Sequence, residues 1–216
     1  MDGEQSAPQG SQEWHQQRLG MVTASRLKDM MTNGRGKDTM GATAYSYMWD
    51  LIAERITGSP AESFTNDAMD WGNQNEPHAR ALYCLHRQVS VTKTGFVLHP
   101  EIQGVGGSPD GLVTGDKEGD GGVEIKCPFK SRIHLQYVES GGVPSEYQMQ
   151  VQGLMWITGR SWWDFVSFDP RMPEHLQLYV YRERADKDLH ADIEHRAKRF
   201  VEQINLKTKR LQGVAK

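Results

Sequence analysis

Between Gly107 and Pro128 the chain has to double back on itself, and the hairpin it makes there carries charges that constrain everything around it. Gly107-Ser108-Pro109-Asp110-Gly111 and Gly122-Val123-Glu124-Ile125-Lys126-Cys127-Pro128 read as two short strands, with Gly111 and the Gly-rich run 115–122 supplying the turn. Side chains alternate along a strand, so Glu124 and Lys126 share one face while Val123 and Ile125 enter the core. Closing the hairpin brings Asp110, at the end of the first strand, against Glu124. Two carboxylates that close repel unless a cation lies between them. Hard oxygen ligands select a divalent ion, magnesium or manganese.

The flanking chain reads as helices and strands in alternation. Residues 14–20 predict a short helix stopped by Gly20, and 21–31 a second helix capped by Thr23 or Ser25. Free N–H groups at that second start, with the Ser25 hydroxyl and a nearby Arg18, would make an anion pocket; an ordinary cap and a surface arginine are the alternative. Residues 33–41 predict a mobile Gly- and Lys-rich loop, 43–57 an amphipathic helix burying Tyr47, Leu51 and Ile52, and 66–86 another helix. In that last helix Gly72 permits close approach of another backbone, and Pro77 predicts a break or kink just after Glu76. Strands are expected at 89–98, at 103–106 leading into Asp110 and Val113, at 123–127, 162–168 and 176–182. Helices are expected at 129–139, 145–157 and 186–212. No repeat or boundary divides the chain, so 14–212 read as one α/β domain behind a polar, disordered lead-in, 1–13.

Pro-Asp, thirteen residues, then Glu-x-Lys on an apolar strand ended by proline resembles the core of the PD-(D/E)xK nucleases. Three further blocks extend the likeness from Trp14 to about Arg182: Trp14, Arg18 and Ala24-Ser25; Trp71-Gly72 with Asn75-Glu76 and Ala79-Arg80; and Tyr147-x2-Gln150-x-Gln152. Together they resemble the phage lambda exonuclease branch, the YqaJ-type viral recombinases. The resemblance implies a central mixed β-sheet flanked by helices, the restriction-endonuclease-like core. It implies magnesium-dependent digestion of one strand of linear double-stranded DNA from the 5′ end, leaving a 3′ single strand for recombination by strand annealing. It also implies a ring-shaped homotrimer, a single-strand annealing protein as partner, and a phage or prophage gene expressed in a bacterial cytoplasm.

On that reading Asp110 and Glu124 are metal ligands with the Ile125 carbonyl, and manganese substitutes for magnesium. Lys126 orients the attacking water or neutralises the phosphorane, and Glu76 serves a second metal or its water. Arg18, Ser25, Ser108 and Gln150 hold the terminal phosphate, with Gln152 a further DNA-phosphate contact beside the metal centre. Met69, ahead of Glu76, is either a wedge that splits the duplex end or a core methionine. Family members carry a further acid before the Ser-Pro-Asp turn; here Glu101 is either its substitute or a surface residue.

Composition removes several other classes. Two cysteines, Cys84 and Cys127, cannot supply the four thiolates of an iron–sulfur cluster and suit a reducing compartment. Mean hydropathy is −0.66 and no apolar run approaches the ~18 residues of a membrane span. A net charge of −3 neither requires nor excludes nucleic acid, since cations can gather along one channel. No dinucleotide loop, Ser-His-Asp signature or zinc spacing supports a small-molecule enzyme. The remaining rivals are an endonuclease on the same core and a non-catalytic DNA-binding subunit. The intact Asp110, Glu124 and Lys126 speak against the latter.

Overall fold

The computed structural model describes residues 7–36, 39–60 and 67–213; residues 1–6 of the lead-in, 37 and 38 of the expected loop, and Asn66 lie outside them. The larger of two sheets is mixed. Its spatial order is β2 (Ser90–Thr92), β5 (Gly111–Thr114), β6 (Gly121–Lys126), β7 (Trp162–Phe168) and β8 (Leu178–Arg184). β6 and β7 pair in parallel, the other neighbours antiparallel. A parallel pair needs a long return connection, and α5 (Ser131–Ser140) and α6 (Ser145–Thr158) supply it. The smaller sheet orders β1 (Val22–Thr23), β4 (Val105–Gly107) and β3 (Val97–Leu98). The other helices are α1 (Gln12–Arg18), α2 (Leu27–Met30), α3 (Ala42–Thr57), α4 (Asp67–Arg87) and α7 (Lys187–Gly213). None is long and apolar enough to cross a membrane.

Both faces of the larger sheet are covered, which is why β7 is buried along its whole length. On one side α4 lays Ala79 and Tyr83 on Val113, Val123, Ile125 and Val166. On the other, α3, α6 and α7 pack Met48, Leu154, Met155 and Phe200 around Trp163. A buried Asp164 fixes α4 lengthwise: Tyr83 Oη donates to its Oδ2 at 2.8 Å, and Arg182 Nε to its Oδ1 at 2.8 Å. Glu76 lies two helical turns upstream of Tyr83 on the same stripe, so the anchor sets its height over the hairpin.

The structure departs from the sequence reading at several points. The strand expected over 89–98 is two, β2 and β3, in different sheets; between them the chain turns to bury Phe96 against Gly106, where a side chain would meet the Phe96 ring at 2.4 Å. The helix expected over 21–31 is β1, a 3-10 turn Ala24–Arg26 and the single turn α2, because Val22 and Thr23 pair with Val105 and Gly106. α4 runs unbroken through Pro77, whose missing N–H frees the carbonyl of the exposed Asn73 to water. Among the described residues nothing outside the helix's own backbone stands within 4 Å of where a Gly72 β-carbon would lie, so none of them crosses there. The first arm of the hairpin is Gly111–Thr114 rather than 107–110, and Gly111 lies in the strand rather than the turn. Its hydrogen is demanded by Val91, whose Cγ1 would stand 2.2 Å from a β-carbon. Residues ahead of Trp14 are engaged: Ser11 Oγ caps the Trp14 N–H, and Gln9 Nε2 donates to the Pro109 carbonyl at 2.6 Å. The loop 33–41 is closed by a bridge between Asn33 and Met40, with Arg196 of α7 bonded to Asn33.

Candidate active site

Register alone places the first two acids. Gly111 pairs with Val123, so Asp110 stands one step beyond β5, opposite Glu124. Asp110 Oδ2 accepts the Ile125 N–H at 2.7 Å. Glu124 is buried, and its Oε1 accepts from Lys126 Nζ at 2.6 Å and Gln150 Nε2 at 2.6 Å. Its Oε2 is buried with no hydrogen-bond partner. Lys126 Nζ lies 4.9 Å from the ring centroid of Tyr147, which stacks in turn on Phe165.

The electrostatics follow from this crowding. Burial, then the charges of Glu124 and Glu76, push the Asp110 carboxyl well above the usual carboxylate range, against the pull of Lys126 and the Ile125 N–H. Burial would lower Lys126, but Glu124 and Asp110 more than offset it and hold the ammonium above its ordinary value. Burial and the charges of Glu76 and Asp110 raise the Cys127 thiol to about 12, so it stays protonated near neutral pH and is no nucleophile.

A hard divalent cation fits this set. An orphaned carboxylate oxygen and a neighbouring carboxyl reluctant to ionise mark a site with surplus negative charge. One strand residue points its N–H and C=O to the same edge. The Ile125 carbonyl therefore faces the Asp110 side, where the next residue in register, Pro109, has no N–H to offer it. Among the described residues no three acidic, imidazole or thiol groups form a ligand cluster, and two carboxylates with a main-chain oxygen are the donors these residues would offer an ion. Glu76 is near enough to raise Asp110, yet it is paired with Arg80. Arg80 also donates to the Asp110 carbonyl at 3.1 Å.

Arg18 and Ser108 converge through a residue given no separate role in the sequence reading. Trp14 Nε1 donates to Ser108 Oγ at 2.9 Å, and the Arg18 guanidinium lies 4.0 Å over the Trp14 ring. Burial lowers the Arg18 pKa, and among the described residues no carboxylate is ion-paired with it. Ser25 is exposed, its Oγ 3.2 Å from Thr23 Oγ1, and follows β1 as Ser108 follows its parallel partner β4. Both serines thus emerge at the same end of the smaller sheet.

Other expected residues fall elsewhere. Gln152 is buried on the far side of α6: its Nε2 donates to the Arg184 carbonyl at 2.8 Å, and its Oε1 accepts the Asp186 N–H at 3.0 Å. Two residues along a helix turn about 200°, so Gln150 and Gln152 cannot serve one site. Gln152 ties α6 to α7 and does not contact phosphate. Gln150 is engaged with Glu124. Met69 is 48% exposed and therefore no core residue. Glu101 is exposed beside Lys198 of α7 and is a surface residue. Arg80, which the sequence offers only as part of the block 71–80, pairs with Glu76 at the i to i+4 spacing of a helix.

Comparison with known proteins bears on this geometry. Residues 13–161 match the family described as the YqaJ-like viral recombinase domain. LHK-Exo, an alkaline exonuclease from Laribacter hongkongensis, is 40% identical, with a TM-score of 0.84 over 95% of this chain and 98% of that one. The same protein in complex with dAMP matches equally well. A phage-related exonuclease from Haemophilus somnus shares the fold, with a TM-score of 0.64 at 20% identity over 87% of this chain and 96% of its own. The uncharacterised Escherichia coli protein ExoD is 35% identical over 63 residues, 29% of this chain and 71% of ExoD.

Proposed function

The chain belongs to the family of YqaJ-like viral recombinase domains, and from that premise we propose that it is a magnesium-dependent exonuclease digesting one strand of linear double-stranded DNA from its 5′ end. That it is a nuclease rests on its likeness to LHK-Exo along nearly the whole of both chains. The observation that carries the finer reading is the meeting of Asp110, Glu124 and Lys126 around an unpartnered carboxylate oxygen.

Asp110, Glu124 and the Ile125 carbonyl would hold the divalent ion, magnesium or manganese, which supplies an activated water and neutralises charge on the departing oxygen. Water attacks phosphorus, the bond from phosphorus to the 3′ oxygen breaks, and that oxygen leaves with a proton. Lys126, held protonated, offsets negative charge as it builds on the phosphoryl oxygens. Gln150 orients the Glu124 carboxylate, and Arg80 holds Glu76 against the Asp110 backbone. Arg18, Ser25 and Ser108 take the 5′-phosphate, and Met69, exposed at the start of α4, is the wedge candidate. Phosphate contacts carry no sequence information, so digestion is indifferent to sequence. LHK-Exo binds dAMP, a nucleotide of the size that stepwise digestion releases.

The product would be a 3′ single strand, passed to a single-strand annealing protein in the host cytoplasm, and the working form a homotrimeric ring. The test is a 5′-labelled linear duplex incubated with magnesium beside a covalently closed circle. Labelled mononucleotide from the first and no cut in the second is the expected result. Internal fragments or a linearised circle would make the chain an endonuclease, and no release at all would end the catalytic reading.

A further inference from the structure

Just past Lys126 the chain leaves β6 and sets an aromatic ring in solvent. Phe129 is 45% exposed and belongs to neither hydrophobic cluster. Trp71 of α4 meets it edge-on, ring centroids 6.2 Å apart at 79°. Arg171, from the turn after β7, lies 4.3 Å over the Trp71 ring. Its Nη2 donates to the Phe129 carbonyl at 3.1 Å and the Pro128 carbonyl at 3.3 Å. The buried Asp169 fixes that guanidinium through Nε at 2.8 Å and Nη2 at 2.9 Å. Trp71 thus braces the Phe129 ring, and Arg171, locked by Asp169, fixes its backbone, for a ring that the core does not use. Exposed cations, Lys130 and Arg132, follow it directly.

An exposed, rigid aromatic flanked by cations next to a phosphodiester-cutting site has the chemistry of a nucleobase platform: the ring takes a base face and the cations its phosphates. We infer that Phe129 is a base-stacking residue, gripping a nucleobase of the DNA strand beside the scissile phosphate. Trp71 and Arg171 are its positioning residues. The inference rests on the nuclease reading and adds how the strand is held. Stacking discriminates little among bases, in keeping with digestion indifferent to sequence.

The full chain is titrated into single-stranded oligonucleotides carrying 2-aminopurine near the 5′ end, with calcium replacing magnesium. Wild type should quench the probe. Phe129→Leu, which keeps an apolar side chain but no ring, should weaken binding roughly five- to a hundredfold and remove the quench. Phe129→Tyr should restore both, and unchanged thermal unfolding shows that either variant is folded. Phe129→Leu binding and quenching like wild type, in a protein that digests duplex DNA, overturns the platform alone. A wild type that neither binds nor digests DNA overturns the nuclease reading with it.

Discussion

At Asp110, burial and the charges of Glu124 and Glu76 together outweigh Lys126, so the folded chain binds this proton more tightly than the unfolded chain does. A carboxyl raised on folding contributes stability below the ordinary carboxylate range, and that contribution is lost as pH rises through the raised value. As pH rises out of the ordinary carboxylate range the metal-free protein thus carries a growing cost from the Asp110–Glu124 repulsion, which a bound cation relieves. Manganese should raise the melting temperature at pH 8 by a few degrees, at about 2–4 °C per kcal/mol for a chain this size, and by less at pH 5. Asp110→Asn should melt higher than wild type without metal, lose the metal response and lose cleavage. A variant destabilised in metal-free buffer would contradict the repulsion. Lys126→Ala should cut turnover by about a thousandfold while DNA binding survives, since its charge acts on the developing transition state. On the proposed reading Arg18 holds the terminal phosphate. Arg18→Ala should slow digestion of 5′-phosphorylated duplex selectively, and an equal effect on 5′-hydroxyl ends would place the phosphate pocket elsewhere.

Among the elements, β6 links the chemistry to the core, and its glycines show how tightly. A β-carbon on Gly122 would stand 2.3 Å from the ring of Trp163, the residue paired with it on β7. Gly122→Ala should therefore lower unfolding free energy by about 1–3 kcal/mol in a urea titration, because a buried indole inside a closed sheet has nowhere to retreat. A wild-type midpoint would mean the pair has slack. The hairpin's charges were legible because alternation puts Glu124 and Lys126 on one face whatever the turn does. Its first arm was not: Pro-Asp-Gly looks like a turn until Val91 is seen filling the place of a Gly111 side chain. Helices with an unbroken 3.6-residue stripe, α3 and α7, were read almost to the residue. Short strands that trade partners between two sheets, such as β2 and β3, leave no periodicity to read. Gln152 is a different case, since helical spacing alone separates it from Gln150 even where a motif sets the two side by side.

At the scale of the whole molecule, a net charge of −3 does not by itself hold DNA through successive cuts, and on the exonuclease reading something must. Confinement is one answer. A closed ring of identical chains around the duplex would keep the substrate at the site while each phosphate contact stayed weak enough to break at every step. Such a ring would also make digestion depend on an end, because a covalently closed circle has none to thread. Light scattering should give about three times the 24.5 kDa chain mass. Once begun on a long linear duplex, digestion should continue unchanged after excess unlabelled DNA is added. Diluting the protein until the assembly dissociates should turn the same reaction distributive, with short resections spread over all molecules. A monomeric mass with challenge-sensitive digestion would leave Asp110, Glu124 and Lys126 their chemistry and remove the ring, and processivity would then have to come from contacts such as Phe129 within a single chain.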